Sequence, residues 1–161
     1  MTDPPVRPSC SVIIKYLKDK NDIIFGHNTW LDYASMSYRT LKNYNLNYHL
    51  LPNSSTVIPG HTNSMSSYAG VVGSLDDFLL TSAGLAATET TMEIHKKELF
   101  NNFSIEVIFE PVRAMVASRL SENGSQWARI FEKFNWYAFL FKIFRLKDRI
   151  AYKLTKYCSF L

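Results

Sequence analysis

From Cys10 to Leu17 the chain runs Cys-Ser-Val-Ile-Ile-Lys-Tyr-Leu, and the polar residues Lys18-Asp-Lys-Asn-Asp22 separate it from Ile23-Ile-Phe25. β-Branched side chains fit an extended backbone and a polar cluster between two such runs closes a turn, so this pattern predicts a β-hairpin beginning at Cys10. Beyond Gly26-His-Asn-Thr-Trp30, the residues Leu31, Ala34, Tyr38 and Leu41 recur at helical spacing and predict a helix over about 31–44. A strand over 47–51 is expected next, and 52–67, dense in Ser, Asn, Pro and Gly, reads as loop. Two strands are expected between Asp77 and Thr91. Val112, Met115, Val116 and Arg119 return to helical spacing, Asn123-Gly124 breaks it, and Trp127, Ile130, Phe131 and Phe134 share one face of a second helix. The order hairpin, helix, strands, helices predicts an α+β domain in which helices cover a largely antiparallel sheet.

Composition changes this picture at one end. The chain has 161 residues, 47% of them hydrophobic, which suits one globular domain, and its net charge is +4. Six Lys or Arg and one Asp lie between Trp136 and Leu161, so the tail is +5 and the first 135 residues are −1. Phosphate binding needs a clustered basic face that the body does not supply, which argues against a nucleic-acid partner. In the tail, aromatic residues alternate with Lys142, Arg145, Lys147, Arg149, Lys153 and Lys156, a pattern expected of a helix lying on a membrane surface. No stretch of about 18 uncharged apolar residues could span a bilayer, and Met1 to Ser9 lacks the apolar run of a signal peptide. Asn-x-Ser sequons at Asn53, Asn102 and Asn123 nevertheless suit a secretory compartment.

Candidate chemistry is sparse. Cys10 and Cys158 are too far apart to suggest a disulfide framework or zinc-ligand spacing, and a cysteine opening a strand is ordinarily a small buried hydrophobe. His49, His61 and His95 have no ligand spacing with one another, so no metal or cofactor site is expected. Asp76 and Asp77 are adjacent, so their side chains should diverge rather than share a proton, and both read as turn residues. By itself, His27 reads as a cap for the helix expected from Leu31, Trp30 as core, and Thr90 as a strand threonine.

Five blocks in order alter that reading: Cys10-Ser-Val-Ile-Ile-Lys, Gly26-His-Asn-Thr-Trp30, Ser66-Ser-Tyr-Ala-Gly70, Leu75-Asp-Asp-Phe78, and Ser82-Ala-Gly-Leu85 with Glu89-Thr-Thr91. Together they resemble the phospholipase B-like family, and the likeness continues through Arg113-Ala-Met-Val-Ala117 and Trp127-Ala-Arg-Ile-Phe131 to about Asn135. The resemblance implies a lysosomal or secreted hydrolase similar to N-terminal nucleophile hydrolases, with an α-β-β-α sandwich and a cysteine exposed by self-cleavage. That cysteine falls at Cys10, with His27 and Trp30 as pocket residues and Thr90 placed to orient the nucleophile. After Thr91 the chain continues Met-Glu-Ile-His and departs from the Asn-rich pattern of the family.

A freed α-amino group has a pKa of about 7.7–8.0 and can take the proton of its own residue's thiol, so one residue supplies nucleophile and base. No metal or organic cofactor is implied. The family name implies deacylation of phospholipids, and the same site suits a lipid or peptide amide. The resemblance divides the chain into a stub of pro-segment at 1–9, a partial catalytic domain at 10–135 and a divergent basic, aromatic tail at 136–161. A long second half of the family pattern is missing, which implies a truncated sheet with exposed edges. An inert fragment with a membrane-surface tail is the reading from another class.

Overall fold

A computed structural model describes residues 9–74, 78–90, 107–134, 140–145 and 150–152, the last two segments as backbone strands only. The hairpin forms as expected. Strand β1 (Ser9–Leu17) pairs antiparallel with β2 (Asp22–Trp30), in a register running from Ser9 opposite Trp30 to Leu17 opposite Asp22. Asn21 closes the turn at φ 54°, a left-handed conformation that asparagine tolerates, and its Oδ1 accepts a hydrogen bond of 3.0 Å from the Tyr16 hydroxyl.

The remaining strands form one antiparallel sheet in chain order: β3 (Arg39–Asn45), β4 (Thr62–Tyr68), β5 (Phe78–Thr81), β6 (Leu85–Thr90), β7 (Leu140–Arg145) and β8 (Ile150–Tyr152). Successive side chains of a strand alternate between faces. Met65, Leu79, Leu85 and Ala87 therefore share one face and meet the helices α2 (Glu110–Leu120) and α3 (Gly124–Phe131) through Ala114, Ala117, Trp127 and Phe131. Trp127 stacks on Phe131 with ring centroids 4.6 Å apart and donates its Nε1–H to Ser118 Oγ at 3.0 Å. Arg113 lies over the same Phe131 ring, 4.3 Å from its centroid, and donates to the Ile108 and Phe131 carbonyls. Burial lowers the pKa of Arg113 below the ordinary arginine value, and the Glu110 carboxylate opposes that shift. Asn123 caps α3 by accepting the Gln126 N–H at 2.9 Å.

Phe78, which alternates with Leu79, faces the other way and stacks on Phe25 of β2 with centroids 5.0 Å apart. Helices thus cover one face of the six-stranded sheet and the hairpin lies against the other. This is an α+β fold with three layers among the described residues.

Several local expectations are corrected. The helix expected over 31–44 is reduced to one turn, α1 (Tyr33–Met36), capped by Asp32, after which the chain becomes β3. Main-chain pairing with β4 decides the matter, and the supposed apolar stripe gains nothing from a helix, since Leu31, Tyr38 and Leu41 all remain exposed. The expected strand at 47–51 contributes only an isolated bridge between His49 and Val57. The expected loop at 52–67 gives way to β4, whose inward residues Asn63, Met65 and Ser67 are fully buried beneath the helix layer.

In α2 the helix itself was expected, but its buried face is Pro111, Arg113, Ala114, Ala117 and Ser118, with Val112 and Val116 outside. The tail forms no membrane-surface helix in its described part. Its segments 140–145 and 150–152 extend the sheet as β7 and β8, so β6 is paired on both sides. Leu140–Arg145 is rich in aromatic and apolar residues, and an adjacent strand with unpaired main-chain groups favours pairing over a helix.

Candidate active site

Cys10 is the second residue of β1 and stands opposite Thr29 in the register, with Val12 opposite His27 and Ile14 opposite Phe25. Residues directly opposite one another in an antiparallel pair share a face. Because Phe25 stacks on Phe78 of the large sheet, that shared face is the inner one. Burial agrees: Ile23, Phe25, His27 and Thr29 are half-buried, while Ile24, Asn28 and Trp30 are exposed. Cys10 and Val12 are half-buried on the same side.

His27 is tied directly to the large sheet, its Nε2 lying 2.9 Å from the Glu89 main-chain carbonyl of β6. A carbonyl oxygen can only accept, so Nε2 carries the proton, and in the neutral ring Nδ1 is left as an acceptor. His27 therefore does not cap a helix near Leu31. Thr90 follows Glu89, ends β6 and is half-buried. By strand alternation it shares a face with Thr88, which pairs with Phe78, so Thr88 and Thr90 face the hairpin.

The structure thus brings Cys10, His27 and Thr90 into one interlayer space and sets Trp30 elsewhere. Trp30 is 50% exposed, on the outer side of the hairpin, opposite Ser9 at its open end. Two residues of this region were not anticipated as contributors. Phe25 and Phe78 hold the layers together, and a period of two continued from Ile23 through Trp30 would have shown Phe25 and His27 on one face. Thr88 is fully buried, and its Oγ1 has no hydrogen-bond partner among the described residues. No pattern in the sequence marks it.

The other candidates lie apart from this space. His61 Nδ1 is 3.2 Å from Ser82 Oγ, which donates to the Pro59 carbonyl. Asn53 sits in an exposed turn, and Asn123 is the half-buried cap of α3. Asp76, Asp77, His95, Asn102 and Cys158 lie outside the described residues. Among the described residues, no three His, Cys, Asp or Glu side chains group as ligands for a metal ion, and no helix is long and apolar enough to cross a membrane.

The sequence profile of the family described as Phospholipase B matches residues 4–139, most of the chain. The chain belongs to the phospholipase B family. Among its relatives it is 37% identical to phospholipase B-like 1 of Bos taurus over 126 residues, which is 78% of this chain and 22% of that protein. Phospholipase B-like 1 of Homo sapiens is 36% identical over the same span and coverage, and phospholipase B-like protein C of Dictyostelium discoideum is 34% identical over 128 residues, again 22% of the relative. The chain therefore spans about a fifth of the length of these phospholipase B relatives, and in it the hairpin, the large sheet and both longer helices fall within the matched residues up to β6 and α3.

Proposed function

We propose that this chain carries the nucleophile-bearing part of a phospholipase B-like hydrolase that removes acyl chains from phospholipids, with Cys10 as the nucleophile. The observation that supports it most is the sharing of one inner hairpin face by Cys10 and His27, with His27 bonded to β6 next to Thr90. In the maturation step the Cys10 thiol attacks the Ser9 carbonyl carbon. A C–S bond forms, the Ser9–Cys10 C–N bond breaks, and the proton passes to the departing amine. Water then opens the thioester and frees Cys10 as an N-terminal residue. In turnover that amine takes the thiol proton, the sulfur attacks the ester carbonyl of the lipid, the alcohol leaves with the proton, and water hydrolyses the acyl-cysteine.

His27, held to β6 through its Nε2–H, sets its imidazole in the layer beside the nucleophile, and the Thr90 hydroxyl orients the nucleophile or donates to the developing oxyanion. Trp30, opposite Ser9, flanks the bond to be cleaved. A lysosomal or secreted location accords with the exposed turn that carries Asn53. The test is the intact mass of the chain after passage through a secretory pathway, deglycosylated and held at acidic pH, beside Cys10→Ala. Loss of Met1 to Ser9 in the unmutated chain alone is expected, and an unchanged mass in both overturns the reading. A phospholipid and an N-acyl amide offered in parallel then separate ester from amide preference.

A further inference from the structure

Ala86, Thr88 and Thr90 stand in turn along the side of β6 that faces the hairpin. Ala86 and Thr88 are fully buried and Thr90 is half-buried, so this row runs from the closed interior of the layer to a more open part. Thr88 is set among apolar groups: Phe78 lies opposite it in the register, Phe25 stacks on Phe78, and Ala86 is the next residue on the same face. Its Oγ1 nevertheless has no hydrogen-bond partner among the described residues. A valine has the same shape and would fill the place without an unpaired hydroxyl, so packing gives no reason for the oxygen. A hydroxyl both donates and accepts, which suits a ligand that does the same. Full burial limits that ligand to about the size of one water molecule, too small for any part of a lipid.

We infer that Thr88 holds the water that opens the acyl–sulfur bond at Cys10. The inference rests on the proposed role of Cys10 as nucleophile and adds to it the place of the second reactant. Thr88 and Thr90 are two residues apart on one strand, roughly 7 Å between Cα atoms, and a water reaching about 2.8 Å to each hydroxyl bridges such a gap when the side chains lean together. Since Thr90 serves the nucleophile in that proposal, the bridge brings the water toward the acyl group on sulfur. His27 bonds the Glu89 carbonyl between the two threonines, which ties this stretch of β6 to the hairpin that carries Cys10. The water oxygen forms a C–O bond to the carbonyl carbon, the C–S bond breaks, and the proton of the water goes to the departing sulfur, leaving a carboxylic acid and the free thiol. Thr88 exchanges no proton in this step, and its hydroxyl orients the attacking oxygen.

The test follows release of Met1 to Ser9 by intact mass in the full 161-residue chain, with and without neutral hydroxylamine, a soluble nucleophile that cleaves thioesters without a held water. The unmutated chain should release the segment in water alone, and Cys10→Ala in neither condition. Thr88→Val should release it about 10–100-fold more slowly in water, yet promptly and as the hydroxamate once hydroxylamine is added. Thr88→Ser, which keeps the hydroxyl, should recover most of the rate in water. Both variants should melt with the unmutated chain, since the Thr88 hydroxyl bonds no described group. Release by Thr88→Val at the unmutated rate overturns the inference and leaves Cys10 standing as nucleophile. A Thr88→Val chain that resists hydroxylamine as well overturns it too, because the hydroxyl then acts before the thioester forms. The same holds for a slowed rate that comes with a lowered Tm and is shared by Thr88→Ser, which marks a packing role. Release from the unmutated chain only with hydroxylamine shows a thioester without a held water and overturns the inference alone. No release from it in either condition overturns the role of Cys10 and this inference together.

Discussion

On its helix side the six-stranded sheet presents Met65, Leu79, Leu85 and Ala87 to Ala114, Ala117, Trp127 and Phe131, all of them buried. On its hairpin side the layers are joined by the Phe25–Phe78 stack and the His27–Glu89 bond, and the hairpin residues that make these contacts are only half-buried. The same strands serve both faces, so the difference does not come from the sheet. One side is filled with side chains that only pack, and the other carries Cys10, His27 and the Thr88 and Thr90 hydroxyls, the groups on which the proposed chemistry rests. The packed core and the candidate site are thereby separated by the thickness of one sheet.

Substitutions should respect that separation. Trp127→Ala removes the largest fully buried side chain among the described residues together with its bond to Ser118, and should cost about 3–5 kcal/mol in denaturant unfolding. Gly60→Ala comes next: its N–H donates to the Arg119 carbonyl at 2.8 Å, and an added Cβ would press on the Ser118 carbonyl and approach Arg119 Cα to 2.8 Å. Displacing that backbone should cost about 1–3 kcal/mol, read as a lower Tm.

Phe25→Ala should cost ~1–2 kcal/mol, because its ring is partly exposed. Its sharper signature is hydrogen exchange, with β1 and β2 amides losing protection while those of α2 and α3 keep theirs. Equal loss on both sides would break the comparison. Asn123→Ala should cost ~1 kcal/mol through the lost cap of α3, with Asn123→Ser restoring most of it.

The sequence showed the hairpin plainly, because Val12-Ile-Ile14 and Ile23-Ile-Phe25 flank a polar turn and all the information is local. It showed the break between α2 and α3 for the same reason. It did not show β4, since Thr-Asn-Ser-Met-Ser-Ser-Tyr is polar enough to read as loop, and only the helix layer above explains why Asn63 and Ser67 are buried. Ser67 is satisfied by donating to the Gly73 carbonyl at 2.7 Å, a partner that no spacing rule would suggest. β3 is hard to see in the sequence because an edge strand with one half-buried face carries little apolar signal, while four scattered hydrophobes imitate a helix.

At the site, the cysteine and histidine stood out through their blocks, but which face each occupies depended on strand alternation continuing to Trp30. That continuation puts Trp30 on the side away from Cys10. The charge and aromatic content of the tail do not register that a neighbouring strand needs hydrogen-bond partners.

The bond from His27 to the Glu89 carbonyl has a meaning of its own, because it reaches main chain rather than side chain. It does not depend on the identity of the side chain at position 89, which is buried in any case. It does depend on where β6 lies along its neighbours. Successive carbonyls of a strand point to opposite edges, so sliding β6 by a single residue would turn the acceptor away from the imidazole. The same slide would swing Leu85 and Ala87 out of the core. The histidine thus works as a gauge of alignment, seated only when the hydrophobic face is also in place, and a chain with its strands out of step would lack an oriented imidazole before any substrate arrived.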